Sequence, residues 1–180
     1  SYTKDIVTLS IMSKLINPKK VFEIGTFRGY TAFHFAMNTA EDCKIFTLDL
    51  NPDFIDSKLA TTFVDDKIIK RSISQNGYYF DDSNVKDKIT LLKGDSAFFD
   101  FKKYNDEIDL FFIDGAHSYQ YVKSDTKNAL KCVKRGGFIF WHDYGRAGVN
   151  GVSKWLHEFS NEGNKIYSVP GSSLAWMIIE

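Results

Sequence analysis

The sequence predicts an α/β fold with a doubly wound, mostly parallel sheet of about seven strands and helices on both faces. Strand patterns alternate with helical patterns along most of the chain, which is typical of βαβ units. The pattern "EIDLFFIDG" is apolar at nearly every position, as expected of a parallel strand covered on both faces. Two final strand patterns, "KIYSVP" and "LAWMII", are joined by "PGSS" and predict a closing antiparallel hairpin.

The first half of the chain supplies two strands and three helices. Apolar residues at roughly helical spacing from Ile6 to Ile16 predict a helix that ends at Asn17-Pro18. "KVFEIG" predicts a buried strand, which "GTFRG" turns into the helix "YTAFHFAMNTA". "CKIFTLDL" predicts a second strand, and residues 54–70 a helix. The irregular stretch "SISQNGYYFDDSN" fits a surface loop or part of a substrate lid.

The second half continues the alternation. "KITLLKGDS" and "EIDLFFIDG" predict the third and fourth strands. The helix "YQYVKSDTKNALKCV" follows, with "KRGG" as its predicted stop, then the strand "FIFWHDY" and a helix at about residues 150–161. The sequence contains no internal repeat or low-complexity tract, and its 180 residues fit one domain over 1–180. We therefore predict a single Rossmann-like α/β domain.

Composition limits the classes of partner. Lys and Arg together number 23, as do Asp and Glu, so the balanced charge argues against an electrostatic grip on nucleic acid or an anionic membrane. No apolar run approaches the roughly 18 residues of a membrane span. The two cysteines form no metal or disulfide pattern, and the N-terminal stretch lacks the features of a signal peptide. We expect a cytoplasmic protein.

Acidic residues stand at the end of every predicted parallel strand. A single acid there would be explained as a helix cap, but acids crowded at strand ends suffer desolvation and mutual repulsion. Ligands bind at the carboxyl ends of strands in sheets of this class, so the five acids together predict a ligand site. They are Glu23, Asp49, Asp95, Asp114 and Asp143.

The first strand-to-helix turn narrows the ligand class. Gly25 and Gly29 either ease a tight turn or let a ligand approach the backbone closely. Asp49 follows about 20 residues beyond these glycines, which is the spacing of a carboxylate that accepts from ribose hydroxyls. Phe27 stands where dinucleotide-binding loops have their middle glycine. The pattern therefore favours a nucleoside-type cofactor without phosphates.

Five motifs, in order, resemble those of class I S-adenosylmethionine-dependent methyltransferases. They are "FEIGTFRGYT", "FTLDL", "LLKGDS", "FIDGAHSYQYVKSD" and "GGFIFWHDY". The chain is most similar to the small bacterial branch with an "IDG-x-H-x-Y" motif, which is related to caffeoyl-CoA and macrolide or sugar O-methyltransferases. The resemblance covers about residues 18–180.

This resemblance implies roles for the residues at the strand ends. Glu23 would lie near the aminoacyl part of S-adenosylmethionine, Gly25 and Gly29 would wrap it, and Thr31 would reach its carboxylate. Asp49 would hold the ribose, and Asp95, with Ser96 alongside, would accept from the adenine amine. The remaining members of the predicted cofactor set are Thr26, Phe27, Leu50 and Asp114.

The resemblance also implies catalytic roles, for Asp114, His117 and His142. A divalent metal would be held by Asp114, His142 and Asp143, although His142 stands where related enzymes carry an acid. Imidazole binds transition metals but suits Mg²⁺ poorly. In the metal-free alternative, His117 or His142 is the general base, since an unperturbed imidazole has a pKa near ~6.5.

The function expected from this resemblance is methyl transfer from S-adenosylmethionine to a hydroxyl of a sugar or secondary metabolite. The expected partner is this small-molecule acceptor, and neither nucleic acid nor a membrane is expected to bind. The sequence is compatible with a homo-oligomer. An NAD-linked oxidoreductase and a non-catalytic cofactor-binding domain are the alternatives. The start at Ser1, without Met, keeps the second alternative open, because relatives often carry extra helices there. A nucleic-acid methyltransferase is disfavoured by the neutral charge and the lack of an Asn-Pro-Pro-Tyr type motif.

Overall fold

A computed structural model describes residues 2–50, 59–73 and 77–180. In this part of the chain the helices are α1 (Tyr2–Ile16), α2 (Tyr30–Met37), α3 (Phe63–Ile73), α4 (Tyr119–Cys132) and α5 (Asn150–Asn161). The strands are β1 (Lys20–Ile24), β2 (Lys44–Asp49), β3 (Ile89–Lys93), β4 (Ile108–Ile113), β5 (Val133–Trp141), β6 (Tyr167–Ser168) and β7 (Ala175–Ile178). None of the described helices is both long and apolar enough to cross a lipid bilayer.

The strands form one sheet in the order β3-β2-β1-β4-β5-β7-β6. Strands β1 to β5 are parallel, and β7 runs antiparallel to both β5 and β6. The predicted fold class, including the closing antiparallel hairpin, is confirmed. The strand order reverses between β1 and β4, and such a switch point opens a crevice at the carboxyl ends of the strands.

Strand β4 is apolar at every position except Asp109, because both its faces are covered. Leu110 and Phe112 pack in a cluster with residues of α1 and α2, whereas Phe111 and Ile113 pack in a second cluster with residues of α4 and α5. In the second cluster, the hydroxyl of Thr126 accepts from the indole N–H groups of Trp141 and Trp155, at 3.0 and 2.9 Å. Helices therefore cover both faces of the parallel strands, whose carboxyl ends meet along one edge of the sheet.

Helix α3 begins later than the sequence pattern predicted. Residues 59–62 are not helical, and residues 54–58 lie outside the described residues. Thr62 and Asp65 form a capping box: the N–H of Thr62 donates to the Asp65 carboxylate at 2.7 Å, and the N–H of Asp65 donates to the Thr62 hydroxyl at 3.2 Å. The Thr-x-x-Asp spacing, which our sequence analysis overlooked, marks this helix start. In the irregular stretch over residues 72–84, residues 72–73 belong to α3 and residues 74–76 lie outside the described residues. Residues 77–78 have no regular structure, and residues 79–84 form turns with one bend.

The prediction that "KRGG" stops the fourth helix is wrong. Helix α4 passes directly into β5 at Val133, and residues 133–136 belong to the strand. Gly136 has a φ of 80°, and its N–H donates to the carbonyl of Ile179 at 2.7 Å. This glycine accommodates an irregular strand start, where the β4–β5 register shifts between Ile108 and Leu110.

Candidate active site

A cavity of about 480 Å³ lies at the carboxyl ends of the central strands. Its wall includes part of α3 as well as the loops after β1, β2, β3 and β4. Most of the predicted cofactor residues line it, namely Gly25, Phe27, Asp49, Leu50, Asp95, Ser96 and Asp114. The volume is within the range typical of small-molecule sites, roughly 300–1,000 Å³.

Four predicted cofactor residues, Glu23, Thr26, Gly29 and Thr31, are not among those that line this cavity. Glu23 is 1% exposed and accepts a hydrogen bond from the Thr47 hydroxyl, which also contacts the hydroxyl of Thr26 at 2.7 Å. Burial raises the pKa of Glu23 well above its usual value. Burial beneath the loop therefore favours the protonated form of Glu23, and its contact with an aminoacyl group stays a prediction.

The loop after β1 requires a glycine at position 25. Gly25 has a φ of 100°, and a Cβ added there would lie 2.1 Å from the carbonyl oxygen of Asp114. The close approach follows from the sheet, because the N–H of Asp114 donates to the carbonyl of Ile24 at 2.9 Å. Phe27 has a φ of 46°, a left-handed conformation that is strained for a bulky residue. Its side chain is 40% exposed at the edge of the cavity.

The two predicted nucleoside-binding acids are held by local hydrogen bonds. The Asp49 carboxylate accepts from the N–H of Leu50 at 2.9 Å. Asp95 accepts from the N–H of Ala97 at 2.9 Å and from the hydroxyl of Tyr121 at 2.7 Å. Tyr121 lines the cavity from the first turn of α4, and our sequence analysis missed it. The only signal for it was an aromatic side chain three residues after the N-cap Ser118.

His117 lies between two carboxylates. Its Nδ1 is 2.7 Å from Asp65 Oδ1, and its Nε2 is 2.6 Å from Asp143 Oδ2. The other oxygen of Asp65 accepts from the N–H and the hydroxyl of Thr62, both at 2.7 Å. Asp143 Oδ1 accepts from Arg146 at 2.7 Å, and Asp143 has a positive φ of 60°. Asp65, which the sequence analysis did not single out, is therefore part of this site.

His142 lies on the other side of Asp143. Its Nε2 is 3.2 Å from Asp5 Oδ2 and 3.2 Å from the hydroxyl of Ser173. Its Nδ1 is 3.1 Å from Asp114 Oδ1 and 3.3 Å from Asp143 Oδ1, but makes no hydrogen bond. Asp5 comes from the first turn of α1 and is 2% exposed, so the N-terminal helix contributes directly to the site.

Both histidines favour the charged state in this arrangement. Burial, the largest single influence on each ring, opposes protonation, but the surrounding carboxylates outweigh it. Asp143 and Asp65 raise the pKa of His117 to about 9, and Asp114 and Asp143 raise the pKa of His142 to about 11. The same contacts lower the pKa of Asp143. An imidazole that is protonated at neutral pH is a poor general base, so the geometry does not favour that role for either ring.

The donor atoms fit a metal ion. Asp114, His117 and Asp143 each offer one ligand atom, and these atoms all lie within 4.8 Å of one another. The predicted metal set had His142 in place of His117; its Nδ1 also faces both acids. A mixed set of imidazole and carboxylate donors suits a transition metal. The assignment of ligands stays a prediction.

The raised pKa of His117 predicts that stability falls with pH in chelator-treated protein. The charged ring stabilises the fold fully below its unfolded pKa of ~6.5, and this contribution is lost as the pH rises through about 9. We expect His117 to account for a fall of about 2 kcal/mol in the free energy of unfolding between about pH 7 and about pH 9, in addition to a fall from His142, whose pKa is also raised. Urea unfolding at a series of pH values measures it. His117→Gln should lack this part of the slope, whereas the exposed His157→Gln should keep it; parallel curves for the wild type and His117→Gln would contradict the assignment.

Comparisons with known proteins agree with this geometry. A family model described as a methyltransferase domain matches residues 22–144. The caffeoyl-CoA O-methyltransferase of Stellaria longipes is 31% identical over 131 residues, which cover 73% of this chain and 48% of that protein. The tapetum-specific methyltransferase 1 of Arabidopsis thaliana is 31% identical, with coverages of 73% and 49%. The chain spans about half the length of the curated relatives it matches.

Solved structures share the fold. An O-methyltransferase from Bacillus cereus, in complex with SAH, superposes with a TM-score of 0.68 over 98% of this chain and 81% of that chain, at 16% identity. The O-methyltransferase TomG from Streptomyces achromogenes, in complex with SAM, gives a TM-score of 0.66 over 98% and 80%, also at 16% identity. At such low identity, these similarities show the fold alone.

Proposed function

Because the chain belongs to the methyltransferase domain family, we propose that it transfers the methyl group of S-adenosylmethionine to a hydroxyl of a small molecule. The observation that carries the proposal is the cavity at the carboxyl ends of the central strands, with Asp49, Asp95 and Asp114 on its wall. The caffeoyl-CoA O-methyltransferase relative supports a hydroxyl as the acceptor. The Bacillus cereus and TomG structures, described as complexes with SAH and SAM, support the cofactor.

The chemistry of the wall suits this cofactor. S-adenosylmethionine presents donors at its ribose hydroxyls and its adenine amine, and carboxylates accept from such donors. Asp49 would accept from the ribose and Asp95 from the adenine, while Gly25 lets the backbone approach without a side chain in the way. Phe27 disfavours a pyrophosphate beside this loop. An NAD-linked oxidoreductase is therefore not the favoured function.

Asp114 would connect the cofactor with the acceptor. It lines the large cavity and also a second void of about 10 Å³ beside His117 and His142. The attacking hydroxyl loses its proton to a carboxylate in this region, and the positive sulfonium is a good leaving group, so positioning supplies much of the rate. A divalent ion held by Asp114 and Asp143 would orient the acceptor hydroxyl and lower its pKa. His142, beside Asp114, keeps that carboxylate in place.

The finer predictions of the sequence analysis are retained as part of this proposal. The acceptor is a sugar or secondary metabolite, and residues 1–180 act as one domain in the cytoplasm. Nucleic acid and membranes are not partners, and a homo-oligomer stays open. A non-catalytic cofactor-binding domain is the remaining alternative. It predicts cofactor binding without transfer to any acceptor.

Calorimetric titration with S-adenosylhomocysteine tests the cofactor. We expect micromolar binding to the wild type and a loss of about 10- to 100-fold in Asp49→Ala, because a charge-assisted hydrogen bond contributes about 1.5–3 kcal/mol. Asp87→Ala removes an exposed acid away from the cavity and should bind as the wild type does. NADH serves as the parallel titrant. Binding of NADH without binding of S-adenosylhomocysteine would overturn the methyltransferase proposal and restore the oxidoreductase.

A further inference from the structure

Asp125 is a completely buried acid that the proposed function does not use. It lies on α4 and is 0% exposed, and neither of its carboxyl oxygens completes a hydrogen bond among the described residues. Burial raises the pKa of Asp125 to about 7; the Ser96 hydroxyl opposes this rise and the Asp95 carboxylate adds to it. A buried carboxyl group without hydrogen bonds is costly for the fold and requires an explanation.

Asp125 lies directly behind the wall of the large cavity. A Cβ added to Gly115 would be 3.7 Å from Asp125 Oδ2, and Gly115 lines the cavity. Ser96 lines it as well, and its hydroxyl is near enough to lower the pKa of Asp125. A glycine and a small serine thus separate this acid from the part of the cavity where adenine is expected.

Polar side chains on one side of α4 face the loop after β3. Tyr121, Asp125 and Asn128 are spaced i, i+4 and i+7, which places them along one side of the helix. The Tyr121 hydroxyl donates to Asp95 Oδ2 at 2.7 Å, and Asn128 Nδ2 donates to the carbonyl of Ser96 at 3.4 Å. Helix α4 therefore fixes the two residues that are expected to contact adenine.

Asp95 and Asp125 are neighbouring acids with different surroundings. Asp95 accepts from the Tyr121 hydroxyl and from the N–H of Ala97, so it meets the cavity as a hydrogen-bond acceptor. Asp125 receives no such donor among the described residues, and a second negative charge beside Asp95 is unfavourable. Such a pair favours one ionised and one neutral acid. A neutral Asp125 can donate to Ser96 Oγ, which leaves the Ser96 hydroxyl to donate into the cavity.

An acceptor beside a donor matches the edge of adenine. Adenine presents its amine, a donor, next to the ring nitrogen N1, an acceptor. Hypoxanthine presents the reverse, a carbonyl acceptor next to an N1–H donor. Asp95 would accept from the adenine amine and Ser96 would donate to N1, whereas hypoxanthine would leave polar groups unpaired at both positions. Buried polar groups left unpaired by the wrong ligand are the basis of strong discrimination.

We propose that Tyr121 and Asp125 are positioning residues that make the cofactor site selective for adenine. Tyr121 holds Asp95 as the acceptor, and neutral Asp125 turns Ser96 into the donor. The inference rests on the proposed function, because it concerns the adenosyl group of the cofactor. It also explains why the chain keeps a buried acid without hydrogen bonds, since this acid serves the site at the expense of the fold.

Calorimetric titration with S-adenosylhomocysteine and with S-inosylhomocysteine, which carries hypoxanthine in place of adenine, tests the selectivity. We expect the wild type to prefer the adenine compound by at least about 100-fold. Tyr121→Phe and Asp125→Leu should each reduce this preference about 10-fold, because Asp95 or Ser96 is then free to pair with hypoxanthine. Asp125→Asn should keep it within about threefold, because the amide still donates to Ser96.

Tyr119→Phe is the matched control for Tyr121→Phe. Tyr119 lies in the same turn of α4, donates to Glu158 at 2.5 Å and is not among the residues that line the cavity. It should keep the preference of the wild type. Urea unfolding separates site from fold: Asp125→Leu should unfold at a urea concentration no lower than the wild type, because an apolar side chain of similar size replaces a buried polar group without partners.

Each other outcome counts against a stated part of the inference. An Asp125→Leu protein that keeps the wild-type preference, loses affinity for both compounds equally or unfolds at lower urea would overturn the role of Asp125. An unchanged preference in Tyr121→Phe would overturn the role of Tyr121. In both cases, binding of S-adenosylhomocysteine by the wild type leaves the proposed function standing. A wild type that binds neither compound would overturn the proposed function and this inference with it.

Discussion

Gly25→Ala is expected to abolish cofactor binding and to destabilise the fold. The new Cβ would lie 2.1 Å from the carbonyl oxygen and 2.6 Å from the carbonyl carbon of Asp114, both of them backbone atoms. Overpacking costs typically about 1–3 kcal/mol, and a positive φ adds about 1–2 kcal/mol for a residue with a Cβ. We expect a loss of about 3 kcal/mol in the free energy of unfolding. Because the clash displaces the cavity wall, affinity for S-adenosylhomocysteine should fall at least about 100-fold.

Gly163→Ala isolates the cost of the backbone conformation alone. Gly163 has a φ of 99°, almost equal to that of Gly25, but none of the described atoms lies within 4 Å of an added Cβ. It follows α5, far along the chain from the cavity. We expect about 1 kcal/mol of destabilisation and unchanged cofactor affinity. Urea unfolding and calorimetry measure both variants; equal losses in the two would contradict the close approach of Gly25 to β4.

The sheet could be predicted because its signals are local. Strand β4 is mostly apolar on both faces, which identifies a buried parallel strand from a short stretch of sequence. An acid lies at the end of each parallel strand, which identifies the edge of the sheet where the ligand site lies. The start of α3 also had a local signal, the Thr62-x-x-Asp65 capping box, which was overlooked. The "KRGG" prediction failed because glycines after a helical pattern usually indicate a helix end, whereas Gly136 here permits an irregular start of a strand.

The outer part of the site could not be predicted in this way. Asp5 and His142 are 137 residues apart and meet only because α1 packs on the face of the sheet that β1, β4 and β5 form. The single local hint was the position of Asp5 on the buried face of α1, four residues before Leu9 and eight before Ser13. Asp65 and His117 are 52 residues apart, and the capping role of Asp65 conceals its second contact. Such pairs depend on the tertiary arrangement of helices.

Asp114→Asn is expected to lower kcat for methyl transfer by about 10³-fold, once an acceptor has been found. The change keeps the size of the side chain and leaves intact the backbone bond from Asp114 to Ile24. It removes the one acid that is partly exposed, at 21%, while also facing the buried histidines. Loss of a positioned acid–base or charge-stabilising group typically costs about 10²–10⁴-fold in rate. Single-turnover assays with saturating cofactor measure the step directly, and Asp87→Asn, an exposed acid outside the cavity, should transfer at the wild-type rate.

The cofactor affinity of Asp114→Asn decides what a loss of rate means. If S-adenosylhomocysteine still binds within about tenfold of wild type, the carboxylate acts on the acceptor, as its place beside His142 and Asp143 implies. If affinity falls as much as the rate, Asp114 belongs to the cofactor half of the site, with Asp49 and Asp95. Wild-type rates in Asp114→Asn would contradict both roles.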